Sequence, residues 1–286
     1  MLVEASTNIL KNVLSGLPGS RRLRSLVYAS PTGPSGMSEA EWCARRMSQV
    51  RQILDAYVAS WPDLGWLRSR TVLELGSGAD SSLPSAFCAL GCDVGYATDV
   101  GPATSFDIPP VLDQALDDLT ARYGAAKPGS SREIRTRGGV TAENMSTSLA
   151  LVDLIVSTST LEHVSDPRRA VEEMHRSLRA GGRMVHAIAI GNHCCGGGEL
   201  DRLAHLSYPS WLWRMMWSHR IGHNRLLWPD WQTLFLSCGF RLVSIEMTRV
   251  DEADITRMRP QLSSEFRDRS NEALAPSYVV VCCERT

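Results

Sequence analysis

Thr71-Val72-Leu73-Glu74-Leu75-Gly76-Ser77-Gly78 is the stretch on which the fold turns. A short, mostly apolar run leads straight into two glycines separated by one serine. Such a run suits a strand covered on both faces, and glycines at 76 and 78 let the chain turn sharply at its end. They also leave main chain bare where a ligand can rest. Taken alone, the pair fits a plain tight turn equally well. A second apolar run, Cys92-Asp93-Val94-Gly95-Tyr96-Ala97-Thr98, ends at Asp99, 21 residues beyond Gly78. An acidic residue at that place can accept both hydroxyls of a ribose. Nicotinamide dinucleotide sites share this spacing, but their fingerprint asks for a third glycine at position 81, where this chain has Ser81.

Working outward, strand-like and helical stretches alternate. Further strands are expected near Arg132–Arg137, Leu151–Val156, Arg183–Ile190, Phe240–Thr248 and Tyr278–Cys283, with helices over about 110–123 and 167–179. This alternation implies an α/β fold with a mostly parallel sheet and helices on both faces. Residues 1–70 read as helical. Ser38 followed by Glu41 is a capping box, starting a helix from Glu39 to about Ala59 with Trp42, Met47, Val50, Ile53, Leu54 and Tyr57 on its apolar side. Ser30–Gly36, before it, is too rich in Pro and Gly to be regular.

Composition narrows the function classes. The 286 residues suit one large α/β domain with decorations. Thirty basic residues against thirty-one acidic ones give a formal net charge of -1, which leaves no bulk field to capture nucleic acid. Arg21, Arg22 and Arg24 read as a solvated helix end. The N-terminal sequence lacks the basic start and apolar core of a signal peptide, and no run of about 18 apolar residues occurs. No membrane association is expected, and the cytoplasm is the default compartment. None of the eight cysteines forms a CxxC pair of the zinc-binding type, so reduced, buried thiols and no metal site are expected.

Ser157-Thr158-Ser159-Thr160-Leu161-Glu162-His163-Val164 follows the fourth strand, Asp166-Pro167 then starts a helix, and Leu178-Arg179-Ala180-Gly181-Gly182 leads into the fifth. Over about residues 71–190, and more loosely to 283, the chain resembles the class I S-adenosylmethionine-dependent methyltransferases, particularly those acting on small metabolites. The resemblance implies a Rossmann-like, seven-stranded, mostly parallel sheet, with S-adenosylmethionine as cofactor. It also implies roles. Glu74, Gly76, Ser77 and Gly78 would line the amino-acid end of the cofactor. Asp99 would hold the ribose and Val100 would pack on the adenine. Ala142, Glu143 and Asn144 would flank the adenine, with Thr141 where relatives often carry an acid. Ser157 and Thr158 would lie under the sulfonium, and His163 would stand at the mouth of the active site, as a base or as a structural cap.

A second decoration spans about 191–230. It holds Trp211, Trp213, Trp217 and Trp228, with Trp231 just beyond, and His193, His205, His219 and His223. Trp213 and Trp217 are i,i+4 neighbours on an expected helix. Such a stripe reads either as core or as walls for a flat acceptor that also stabilise a cation. Tyr28, His205, Trp211, Trp213, Trp217 and His223 are the candidate acceptor contacts. His193 follows the fifth strand, on the side where open α/β sheets bind ligands, and is the first candidate base, with His163 second. Relatives, on the same resemblance, also carry a histidine there and a pair like Asn224-Arg225.

The expected organisation is an N-terminal helical cap (1–70), a cofactor-binding core (71–190), an inserted acceptor cap (191–230) and the C-terminal part of the core sheet (231–286). The expected activity is methylation of a small, aromatic or indole-type natural product, as in secondary metabolism. The partner would be that small molecule, with no nucleic acid and a homodimer left open. Ser157–Thr160 also stands where nucleic-acid methyltransferases carry an Asn-Pro-Pro-Tyr-type motif. The alternatives are a protein that binds S-adenosylmethionine without turnover and a nicotinamide-dependent oxidoreductase. The second leaves Leu161–Val164 and Gly181-Gly182 unexplained.

Overall fold

Ser38 opens the first helix as its capping box predicts. The Glu41 carboxylate accepts from the Ser38 backbone N–H at 2.7 Å, and the Ser38 hydroxyl accepts from the Glu41 N–H at 3.3 Å. The helix, α1, runs over Glu39–Ser60. The computed structural model describes residues 38–78, 80–101, 110–124, 133–192, 202–216 and 223–286. Tyr28, His193, Trp217, His219 and all of residues 1–37 of the N-terminal decoration therefore lie outside the described residues.

Beyond α1 come β1 (Thr71–Leu75), α2 (Ser82–Ala89), β2 (Val94–Asp99), α3 (Pro110–Ala121), β3 (Glu133–Gly138), β4 (Val152–Thr158), α4 (Pro167–Ser177) and β5 (Leu178–Ala189). They are followed by α5 (Ser210–Met216), α6 (Trp228–Ser237), β6 (Phe240–Arg249) and β7 (Pro276–Arg285). The seven strands lie in the order β3-β2-β1-β4-β5-β7-β6. Pairing is parallel from β3 through β5, and β7 is antiparallel to both β5 and β6. This is the seven-stranded, mostly parallel, Rossmann-like sheet expected. The strand order reverses between β1 and β4, and in open α/β sheets that switch point opens a crevice at the carboxyl ends of the strands.

Strand alternation sorts the core into two layers. Leu73, Ile155, Met184, Val279 and Val281 face α4 and α6, where they meet Val171, Met174, Trp231 and Phe235. Val72, Leu154, Val185, Val280 and Cys282 face α1, α2 and α3, where they meet Ile53, Leu54, Tyr57, Phe87 and Leu116. β4 is buried along its whole length, which is why it reads as a continuous apolar run rather than an alternating one.

The fifth strand differs from its expected start. It begins at Leu178, which pairs with Val152, before a register shift brings Arg183 opposite Leu154. Gly181, at φ 69°, lies within the irregular stretch, and the preceding helix ends at Ser177. Among the described residues, no helix is long and apolar enough to cross a membrane.

Phe87 joins two layers: it is fully buried on α2 and meets the Tyr57 ring edge-on at 5.4 Å. Phe87→Ala should lower stability by about 3–5 kcal/mol through the cavity left between α1 and the sheet. Chemical denaturation with an unchanged m-value checks this.

Candidate functional site

The turn after β1 has the conformation its glycines predict, with φ 66° at Gly76 and 68° at Gly78. A Cβ at Gly76 would stand 2.5 Å from the Thr160 hydroxyl oxygen. That hydroxyl donates toward the carbonyls of Leu75 and Thr158, both at 3.1 Å, so the turns after β1 and β4 interlock. The Ser77 N–H donates to the Thr98 carbonyl at 2.9 Å, tying the same turn to β2. Asp99 then closes the corner. One carboxylate oxygen accepts from the Gly101 N–H at 2.8 Å, the other from the Gly78 N–H at 3.2 Å.

A cavity of about 730 Å³ opens over these strand ends, lined among others by Gly76, Asp99, Val100, Ala142, Glu143 and His163. Its far wall is braced by Glu143. That carboxylate accepts from the Ser165 N–H at 2.9 Å, and its backbone carbonyl accepts from the Arg169 Nε at 3.0 Å. Thr141, Ser159 and Thr160 also border the space. Val100 is 65% exposed, a bare apolar side chain at the rim.

Beneath the turn lies a buried charge cluster. Arg46, from α1, donates Nη2 to Glu74 at 2.8 Å, Nη1 to Thr158 at 3.3 Å, and Nε to Asp80 at 3.0 Å and Ser82 at 2.8 Å. Burial opposes the Arg46 charge, but Glu74 and Asp80 outweigh it and hold the guanidinium charged. Burial also raises the Glu74 carboxyl to about 7, against the pull of Arg46 and with a push from Asp80 and Asp99. The second Glu74 oxygen, Oε2, is buried without a hydrogen-bond partner among the described residues.

A second cavity, of about 580 Å³, adjoins the first and shares Val164 and Ser165 with it. Trp213, Arg214, His223, Asn224 and Arg225 face it from the far side. His223 is fixed there by both nitrogens: Nε2 donates to the Ala189 carbonyl at 2.8 Å, and Nδ1 accepts from the Arg225 N–H at 3.0 Å. The Trp213 indole N–H donates to the His223 carbonyl at 2.8 Å. Asn224 donates to the Leu161 carbonyl at 2.8 Å, joining this wall to the turn after β4.

The remaining sequence candidates sit as follows. His163 ends the 3-10 turn Leu161–His163 and lines the larger cavity. Ser157 is fully buried, its hydroxyl bonded to His186 Nδ1 at 2.8 Å, and it borders neither cavity. The Thr158 hydroxyl is engaged by Arg46. Asn144 Oδ1 accepts from the Thr141 N–H at 2.8 Å, bracing the loop from within. His205 is buried with its ring centroid 4.7 Å from that of His223. Trp211 is 62% exposed and borders neither cavity.

With this geometry in place, residues 119–186, from the end of α3 into β5, match the family described as a methyltransferase domain. Over that segment the chain is similar to a methyltransferase domain. No curated protein matches it. Among solved structures, an S-adenosylmethionine-dependent methyltransferase from Mesorhizobium loti is similar at 17% identity and TM-score 0.41, over 79% of this chain and 98% of that one. The [4+2]-cyclase SpnF is similar at 14% identity and TM-score 0.44, over 99% and 93% of the respective chains. The StiE O-MT structure is similar at 16% identity and TM-score 0.43, over 94% and 83%. These likenesses are remote and assign no function.

The groups at this crest fit S-adenosylmethionine. The orphaned Glu74 oxygen is a group that an ammonium would satisfy, and Gly76 packs so closely on Thr160 that its turn tolerates no Cβ. Two site residues escaped the sequence reading. Arg46 falls on the line Trp42-Arg46-Val50, so a charge in the apolar stripe of α1 was the available signal. Glu162 was noted only as part of a motif. It is fully buried, with no hydrogen-bond partner for either oxygen among the described residues. Burial raises its carboxyl to about 8, offset only in part by the nearby backbone of Glu162 and Ala189.

Arg46→Ala should cost about 3–5 kcal/mol by stranding Glu74 and Asp80. Arg46→Lys should recover little of it, because an ammonium cannot bridge the same partners. Thermal and urea unfolding check both. Glu162 gives a pH signature. With its folded pKa raised to about 8, the folded protein holds a proton that the unfolded chain releases at ordinary carboxylate pH. Its stabilising effect is complete below about pH 4.3 and is lost as pH rises toward 8. Glu162→Gln should flatten that part of the stability profile, seen by denaturation at pH 5, 6.5 and 8.

Proposed function

We propose that this enzyme methylates a small aromatic or indole-type molecule, of the kind made in secondary metabolism, held in the cavity beside the cofactor site. The observation that carries this is the shared Val164–Ser165 wall: the two cavities meet behind the turn that bears His163. The larger space takes S-adenosylmethionine and the smaller takes the acceptor.

In this reading Asp99 holds the ribose. Each of its oxygens accepts one backbone N–H and retains a lone pair for a ribose hydroxyl. Val100 and Ala142 enclose the adenine, and Glu143 keeps that wall closed. Glu74 receives the ammonium at the other end, with Gly76, Ser77 and Gly78 as the bare floor. S-adenosylmethionine supplies an electrophilic methyl group on a sulfonium, released as the C–S bond breaks and the acceptor's lone pair forms the new bond. The protein therefore mainly aligns the acceptor and excludes water. Base work, where an acceptor must lose a proton, belongs to His163 or to His193, and His223 serves as scaffold. Residues 71–190 and 231–286 form the core in this proposal, with 1–70 and 191–230 as caps over the acceptor.

The purified protein should bind S-adenosylmethionine and its demethylated product with micromolar affinity, on the order of -8 kcal/mol. Asp99→Ala should weaken both by roughly 2 kcal/mol. Calorimetry tests this, with labelled-methyl transfer to candidate acceptors as the activity readout. Absence of binding, or tighter binding of a nicotinamide cofactor, would overturn the proposal.

A further inference from the structure

The smaller cavity carries two arginines in different situations. Arg225 is buried and fully engaged. Nη1 donates to the Tyr208 carbonyl at 2.5 Å, Nη2 donates to the Ser210 hydroxyl at 2.7 Å, and Glu265 lies 3.5 Å from Nη2. Its guanidinium stands 5.1 Å from the ring centroids of both Trp213 and Phe266. Its backbone is held at φ 60°, a left-handed conformation rare for arginine, by the bond from its N–H to His223. Such a residue is part of the wall. Glu265 is likewise used, accepting also from the Ser210 hydroxyl.

Arg214 lies one helical turn after Ser210 on α5 and lines the same cavity. Its Nε donates to the Ser210 carbonyl at 3.3 Å, its terminal nitrogens have no acceptor, and no acid pairs with it among the described residues. Burial lowers Arg225 to about 10; Glu265 opposes that shift and the nearby Arg214 charge adds to it. The acid on this wall thus answers Arg225, and among the described residues one cation is left over at a space of about 580 Å³ bordered by Trp213. A planar fork with its terminal edge free matches a carboxylate, and one surplus charge matches a monoanion better than a dianionic phosphate.

We infer that the smaller cavity is a subsite for a carboxylate-bearing aromatic acceptor, with Arg214 as the residue that binds the carboxylate. The inference rests on the proposed methyltransferase reading and deepens it by naming the acceptor class. The carboxylate is anchored at Arg214, the ring lies against Trp213, and the reactive end passes Val164 toward the cofactor cavity. Specificity against neutral analogues follows, because a neutral group leaves the guanidinium edge unanswered.

The test uses indole-3-acetate and indole-3-acetamide as charged and neutral probes, titrated calorimetrically into the full-length protein saturated with S-adenosylhomocysteine. The wild type should bind the carboxylate about tenfold to a hundredfold more tightly than the amide. That preference should shrink as ionic strength rises. Arg214→Gln should abolish it while leaving S-adenosylhomocysteine affinity unchanged, which also reports a folded protein; Arg214→Lys should keep part of it. Equal binding of the two probes, no binding of either, or a preference that survives Arg214→Gln overturns the subsite. Failure of the wild type to bind S-adenosylhomocysteine overturns the methyltransferase reading instead, so the two failures are distinguishable.

Discussion

A single buried guanidinium organises the crest of this molecule. Arg46 enters from α1 and supplies donors to two carboxylates and two hydroxyls, drawn from the end of β1, the start of α2 and the end of β4. Removing a cation and two carboxylates from water is expensive, and the expense is offset only when geometry is good and nearly every donor is used. The cluster therefore works as a registration device. It holds only if the helix, the glycine turn and the end of β4 stand in their native relation. The stability of the N-terminal helix and the shape of the ligand crevice are thus one problem rather than two.

The same arrangement leaves specific groups for a ligand to satisfy. Arg46 answers one oxygen of Glu74 and leaves the other buried and unpaired. Asp99 spends one lone pair of each oxygen on backbone N–H groups and keeps the rest facing the cavity. Gly76 cannot carry a side chain, because Thr160 fills the place of its Cβ. Each is a local violation of what a purely structural sequence would prefer, and such violations concentrate at functional sites. Glu162 is a further violation of this kind, an acid held neutral by burial within the turn that closes the crevice.

Much of the fold was legible because its signals are local. The capping box at Ser38, the apolar strands ending in glycine or acid, and the proline-started α4 are set by neighbours in sequence, and they fall within a few residues of expectation. The start of β5 was not legible, because Leu178 joins the sheet through a long-range pairing with Val152. The site divides in the same way. Gly76, Asp99, Ala142 and Glu143 sit at strand ends and converge because the topology is regular. Arg46 reaches the site from 28 residues before Glu74, and Ser157 turns its hydroxyl to His186 across the sheet. Strand periodicity places both residues near the crest but does not say which way the side chains turn.

The tryptophan and histidine stripe separates by the same physics. A sequence shows that aromatic residues cluster; only tertiary packing assigns each a face. Trp228 and Trp231 become core, Trp211 remains in solvent, and Trp213 lies between, with its indole N–H tied to backbone and its ring beside a cavity. His223 is locked in one tautomer and one orientation by a carbonyl on one nitrogen and an N–H on the other. Tying up so polar a side chain fits a reaction whose electrophile arrives already activated. In the proposed reading, the wall beside the acceptor needs to be rigid more than it needs to titrate, and His223 supplies rigidity to Trp213 and Arg225 together.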